Sequence, residues 1–109
     1  DGARPYIESA TSGAKFYIYL ESCKDDRDCG DAMLRSSYDF AKDKPVKLDT
    51  INEFNRDTRW TRAHLDKEGD PVLEQDLFFT GQMMDEKMFD EAIAVWDDIM
   101  GKFHKAIDW

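Results

Sequence analysis

The chain has 109 residues, a length that suits one domain built around one hydrophobic core. It carries 24 acidic and 15 basic residues, for a net charge of -9, and the basic residues are scattered along the sequence. A phosphate backbone repels such a chain, so we expect no nucleic-acid binding. Since no apolar run approaches the ~20 residues that a membrane-spanning helix needs, we expect no membrane span either.

Residues of alternating polarity predict three strands in the first part of the chain. These strands are predicted at residues 5–10, 15–21 and 33–40. Thr11-Ser12-Gly13 supplies a turn between the first two. In the second strand Tyr17 and Tyr19 alternate with apolar residues, so we expect them on the sheet face that points away from the core.

The middle of the chain predicts a short helix followed by a hairpin. Leu48, Ile51 and Phe54 recur at three-residue steps, which places them on one face of a helix. The strands of the hairpin are predicted at residues 60–65 and 72–79, joined by a turn at 66–71. Gly69 is free to adopt positive φ in that turn, and Pro71 is suited to the first position of the return strand.

A last helix is predicted from Asp85 to His104, because apolar residues recur there at three- and four-residue steps. The predicted order is therefore β-β-β-α-β-β-α with short connections. This order favours an α+β fold, in which helices cover one face of an antiparallel sheet of about five strands. The opposite face is predicted to carry Tyr17, Tyr19 and Trp60 among charged residues, as a candidate interaction surface.

Two cysteines, Cys23 and Cys29, are separated by five polar residues. The pair has three alternative states: a disulfide, part of a metal site, or two free thiols. No histidine or third cysteine lies nearby in the sequence to complete four metal ligands. An even number of cysteines among acidic residues favours a disulfide and an oxidising compartment. Closing this loop would stabilise the fold by about 2 kcal/mol.

Three segments resemble the YbjN-type domain family, a bacterial group whose fold is similar to that of the type III secretion chaperones. Ile51-Asn52-Glu53-Phe54-Asn55-Arg56, followed by Arg59, resembles the family's helix end. Residues 63–76 resemble its hairpin, and Phe16 with the Cys23/Cys29 loop resembles an exported branch found in Gram-negative bacteria. The resemblance implies a regulatory or chaperone-like domain with no agreed activity.

The chain departs from the family pattern at two places. The family usually has a helix before its first strand, whereas only Asp1 to Arg4 precede Pro5 here. We therefore expect a single domain over residues 1–109 that lacks this helix and exposes an apolar patch. After the hairpin, Thr80 to Met84 replaces the family's Gly-Gly turn. The cysteines and the resemblance together favour a periplasmic or secreted protein whose signal peptide has been removed.

Four polar residues near the helix end form a candidate ligand site: Asn52, Asn55, Arg56 and Arg59. Amide and guanidinium groups give directed hydrogen bonds to a carboxylate or a peptide. The structural alternative is that the asparagines tie the helix end to the sheet, as this side chain commonly does. The arginines would then pair with carboxylates such as Asp66 or Asp76.

The hairpin offers a second candidate site. His64 and Asp66 share one strand face, and Glu74 and Asp76 share a face of the other strand, so a cross-strand cluster could form. The spacing does not fit a calcium loop of the EF-hand type. We therefore favour a solvated acidic hairpin and expect no metal or other cofactor.

Motifs for covalent or phosphate chemistry are missing from the sequence. It contains neither a G-x-S-x-G nucleophile motif nor a Gly-rich phosphate loop, so we do not expect an enzyme. An apolar run at the entry to the last helix either packs in the core or accommodates a partner peptide. Its members are Phe78, Phe79, Met83, Met84 and Met88.

The sequence thus predicts a non-catalytic protein-interaction domain, chaperone-like or regulatory, that binds a protein partner or a second copy of itself. The competing hypothesis is a small-ligand or metal-binding protein. That protein would use Asn52, Asn55 and Arg56 together with His64 and Asp66.

Overall fold

A computed structural model describes residues 5–24, 29–40, 42–79 and 85–109 of the chain. The described residues form five strands and two helices in the predicted order, which confirms the α+β fold. The elements are β1 (Tyr6–Thr11), β2 (Ala14–Glu21), β3 (Asp31–Ser37), α1 (Leu48–Asp57), β4 (Arg62–Leu65), β5 (Pro71–Phe78) and α2 (Glu86–Ile107).

All strand pairs are antiparallel, and the sheet order is β1-β2-β3-β5-β4. β1 and β2 form a hairpin through Ser12 and Gly13, whose φ values are 51° and 78°. Positive φ at both positions gives a turn with the same twist as the strands. β5 lies between β3 and β4, so β1 and β4 form the two edges of the sheet.

The core lies between the sheet and the helices. Trp96, Met100 and Phe103 are fully buried on α2, at the helical spacing that the sequence predicted. The Trp96 ring lies 5.8 Å from that of Phe16 on β2, and the Phe103 ring lies 4.9 Å from that of Phe54 on α1. α1 and α2 therefore pack together over one face of the sheet, which we call the inner face.

The ends of several elements differ from the sequence prediction. β3 ends at Ser37, three residues early, and the Tyr38 side chain packs in the core. β4 begins at Arg62 because Trp60 has a φ of 76°, a left-handed conformation that interrupts an extended strand. α2 continues to Ile107. Its C-cap residue, Asp108, is also left-handed.

Candidate functional site

Three tyrosines cluster on the outer face of the sheet, which points away from the helices. Tyr6 on β1 pairs directly with Tyr19 on β2, and Tyr17 lies two residues before Tyr19 on the same face. Their ring centroids are separated by 5.9 to 6.0 Å. Tyr6 is 60% exposed and the other two are half-buried, so the tyrosine cluster presents aromatic surface on a rigid support.

An ion-pair network occupies the neighbouring part of the outer face. The Glu74 side chain is only 8% exposed, and its carboxylate accepts hydrogen bonds from Arg35 and, at 3.0 Å, from Arg62. Arg62 also donates to Asp76 at 2.7 Å. The hydrogen bond to Asp76 is the main reason that the pKa of Arg62 is raised. Because each arginine is held by a carboxylate, the network has a fixed shape.

The tyrosine cluster and the ion-pair network form one continuous surface, which we call the outer patch. Tyr17 is directly opposite Arg35, and Tyr19 is directly opposite Met33, in the pairing of β2 with β3. The Met33 sulfur lies 3.5 Å from an Arg62 nitrogen. Tyrosine, arginine and methionine are among the residue types enriched in protein–protein interfaces.

Trp60 does not belong to the outer patch. It precedes β4 and is 65% exposed. The guanidinium carbon of Arg59 lies 4.6 Å from the centroid of the Trp60 ring. Trp60 lines a groove beside α2 with Val95 and Lys102. The prediction that Trp60 shares a sheet face with Tyr17 and Tyr19 is therefore wrong, because the alternation of strand faces starts only at Arg62.

The four polar residues of the predicted ligand site do not converge. Asn55 binds both the carbonyl of Ala63 (3.0 Å) and its N–H (2.8 Å), which ties α1 to β4. Arg56 pairs with the adjacent Asp57, and neither Arg56 nor Arg59 has an ion pair with Asp66 or Asp76 in the described residues. Asn52 is exposed on α1.

The acidic hairpin is organised by one carboxylate. Asp66 accepts hydrogen bonds at 2.9 Å from the N–H groups of both Glu68 and Asp70. Gly69 completes the turn with a φ of 85°, as the sequence predicted. The structure does not bring His64 and Asp66 into a ligand cluster: over the described ranges, no three His, Cys, Asp or Glu side chains could hold a metal ion.

Sequence reasoning missed a buried polar network between β3 and α2. The Ser36 hydroxyl lies 2.8 Å from the Lys15 carbonyl oxygen and 2.9 Å from the Tyr38 hydroxyl, which lies 2.8 Å from Nε2 of His104. Because a carbonyl only accepts, Ser36 donates to Lys15 and accepts from Tyr38, and His104 then donates to Tyr38. Burial raises the pKa of Tyr38 and lowers that of His104.

Cys23 and Cys29 form a disulfide, the first of the three states that the sequence left open.

The residues of the apolar run before the last helix are divided between surface and interior. Phe78 is 77% exposed and Met88 is 55% exposed, whereas Phe79 is partly buried against the core. Met83 and Met84 lie outside the described residues. The apolar run therefore does not form a single core cluster.

Neither α1 nor α2 is long and apolar enough to cross a membrane, and no other helix occurs in the described residues.

Comparison with curated proteins and with solved structures gives no significant match. The family model of YbjN, described as a putative bacterial sensory transduction regulator, matches residues 1–109. Since the match spans the whole chain, this protein belongs to the YbjN family.

Proposed function

We propose that this YbjN domain is a non-catalytic regulatory module that binds a partner protein through the outer patch. The observation that carries the proposal is the exposed tyrosine cluster beside arginines that are already held in place. A regulatory role agrees with the description of the family. The disulfide further supports a periplasmic or secreted location, where such bonds persist.

The outer patch is prearranged for binding. Tyr17 and Tyr19 lie on β2, which is paired on both sides and whose opposite face is buried in the core through Phe16 and Ile18. Glu74 holds the neighbouring arginines. Binding therefore orders few additional side chains, which lowers the entropic cost of association.

The alternative of a small-ligand site at Asn52, Asn55 and Arg56 receives no support from the geometry. Both hydrogen-bonding ends of the Asn55 amide are used by Ala63, and the Arg56 guanidinium is used by Asp57.

Alanine substitutions can test the outer patch. The full-length protein would be tagged in its own host and purified as wild type, as Tyr6→Ala/Tyr17→Ala and as Trp60→Ala, with co-purifying proteins quantified by mass spectrometry. Loss of two aromatic contacts at the centre of an interface should reduce partner recovery at least about tenfold. Trp60→Ala is the matched control, since it removes an equally exposed aromatic ring that lies outside the outer patch.

Two results would contradict the proposal. One is equal recovery of every partner by the double variant and the wild type. The other is loss of partners only in Trp60→Ala, which would move the interface to the groove beside α2. Circular dichroism of the double variant would verify that it is folded, because Tyr17 is half-buried.

A further inference from the structure

The first edge of the sheet presents backbone groups that pair with no other strand in the described part of the chain. The N–H of Leu20 donates to the carbonyl of Pro5 at 2.9 Å, which fixes the alternation of hydrogen bonds between β1 and β2. Ile7, Ser9 and Thr11 therefore direct their N–H and C=O groups toward β2. The N–H and C=O groups of the other three β1 residues, Tyr6, Glu8 and Ala10, point away from the sheet.

This edge has little of the usual protection against pairing. Edge strands are commonly blocked by an internal proline, by charged side chains, above all lysine, or by a bulge. The sequence of β1, YIESAT, has neither proline nor lysine, and its pairing with β2 is continuous from Tyr6 to Thr11. Its one charged residue, Glu8, lies 3.7 Å from the Lys15 ammonium. Side chains on both faces are also open: Tyr6 is 60% exposed on the outer face and Ile7 is 51% exposed on the inner face.

We propose that β1 pairs antiparallel with β1 of a second copy of the chain, across a two-fold axis at Glu8. In this register Tyr6 lies opposite the partner's Ala10, and the two Glu8 residues face each other. Each hydrogen-bonded pair exchanges two N–H···O bonds, so every outward group of Tyr6, Glu8 and Ala10 is satisfied. The two sheets become one continuous sheet.

The side chains support this register. Ala10 is paired with Lys15 in the β1–β2 hairpin, so Tyr6 would lie on a small residue with the partner's Lys15 beside its ring. The facing Glu8 carboxylates repel each other, but each has its own Lys15 ammonium at 3.7 Å. A register centred on Ile7 would avoid this repulsion, yet only the Tyr6–Glu8 pairs would remain hydrogen-bonded within β1.

Pairing at β1 goes beyond the proposed function, because its hydrogen bonds come from the backbone of β1 and not from the outer patch. Tyr6 belongs to both surfaces, so Glu8, which lies outside the tyrosine cluster and the ion-pair network, is the residue that tests the pairing separately. Pairing at β1 would place the tyrosine clusters of the two copies side by side on the outer face.

Two substitutions of Glu8 should change the affinity of the dimer in opposite directions. Sedimentation equilibrium would measure this affinity at concentrations up to about 1 mM, because so small an interface gives a weak dimer. Glu8→Gln removes the repulsion and should tighten the dimer about two- to fivefold. Glu8→Pro removes an N–H that points away from β2, so it should abolish the dimer and leave the melting temperature nearly unchanged. Glu53→Gln, on exposed α1 surface, is the charge-matched control.

A cross-link provides a readout that does not require the proline variant to fold. Glu8→Cys should form an intermolecular disulfide readily, since Cα atoms of a hydrogen-bonded antiparallel pair are about 5.5 Å apart. Ile7→Cys should form one more slowly, since it faces the partner's Ser9. Faster cross-linking of Ile7→Cys would overturn the register. The second-copy proposal would be overturned by monomeric wild type and Glu8→Gln over the whole concentration range, or by a dimer that Glu8→Pro leaves intact.

Discussion

The two edges of the sheet are treated differently by the rest of the fold. On β4 the outward N–H and C=O of Ala63 are both bound by the Asn55 amide, which acts as a substitute for another strand. On β1 the outward groups of Tyr6, Glu8 and Ala10 meet no other strand of the described residues. One asparagine thus occupies the outward backbone groups of Ala63 on β4, whereas no strand of the described residues occupies those of β1.

The helices account for this difference. α1 buries Ile51 and Phe54 in the core, which positions the next residue, Asn55, over the β4 edge. α2 is hydrogen-bonded to the β1–β2 hairpin at its turn, where the Asp97 carboxylate accepts from Thr11 and, at 2.6 Å, from Ser12. Within the described residues, the β1 edge is therefore anchored at one end and pairs with no further strand along its length.

The largest effect is expected from opening the closed edge. Asn55→Ala removes two hydrogen bonds to the backbone of Ala63, each contributing about 1 kcal/mol, so the free energy of unfolding should fall by about 2 kcal/mol. Urea denaturation measures this change. Asn52→Ala, one helical turn earlier and exposed, should change stability by less than about 0.5 kcal/mol.

If the two asparagine variants were equally stable, the hydrogen bonds of Asn55 to Ala63 would not stabilise the β4 edge. If Asn55→Ala also promoted self-association, β4 would have become a second open edge.

A smaller effect is expected from releasing the anchored end of the open edge. Asp97→Ala removes the acceptor for Thr11 and Ser12 at a partly exposed site, so stability should fall by about 1 kcal/mol at neutral pH. The hydroxyls of Ser12 and Thr11 lower the pKa of Asp97, so its contribution should be lost as the pH falls below its ordinary value of 3.8. Asp98→Ala, which breaks only an exposed ion pair with Lys102, is the control.

A third effect, which depends on pH, is expected at the buried network, which is remote from both edges. Burial lowers the pKa of His104 in the folded protein below the ordinary 6.5, so the unfolded chain binds the proton more tightly. Stability should therefore be complete above pH 6.5 and decline as the pH falls toward the folded-state pKa. The slope for one proton cannot exceed about 1.4 kcal/mol per pH unit.

Thermal melts of the wild type and of His104→Gln would measure this decline from about pH 7.5, one unit above the ordinary histidine pKa, to about pH 4.5, two units below it. The variant should lose the histidine-linked slope. A decline of equal steepness in both proteins would assign it to other groups.

Much of the local structure was predictable because it depends on near neighbours. Alternation along β2 placed Phe16 and Ile18 inside and Tyr17 and Tyr19 outside, and the spacing on α2 identified Trp96, Met100 and Phe103 as core. Gly69 and Pro71 took the turn and strand-start positions that their backbones favour. The tyrosine pair on β2, one part of the outer patch, followed from this periodicity alone.

The rest depended on which strands become neighbours. The insertion of β5 between β3 and β4 brings Arg35 and Arg62 to opposite sides of Glu74, although 27 positions separate the two arginines in the sequence. The left-handed backbone at Trp60 moved that ring from the predicted sheet face to α2, a change that alternation of polarity does not reveal. Sequence by itself determined the elements and their buried faces, because these arise from repeating local geometry. Only the tertiary structure decided the ion-pair network, the closed edge and the open edge, because strand register couples residues that are distant in the chain.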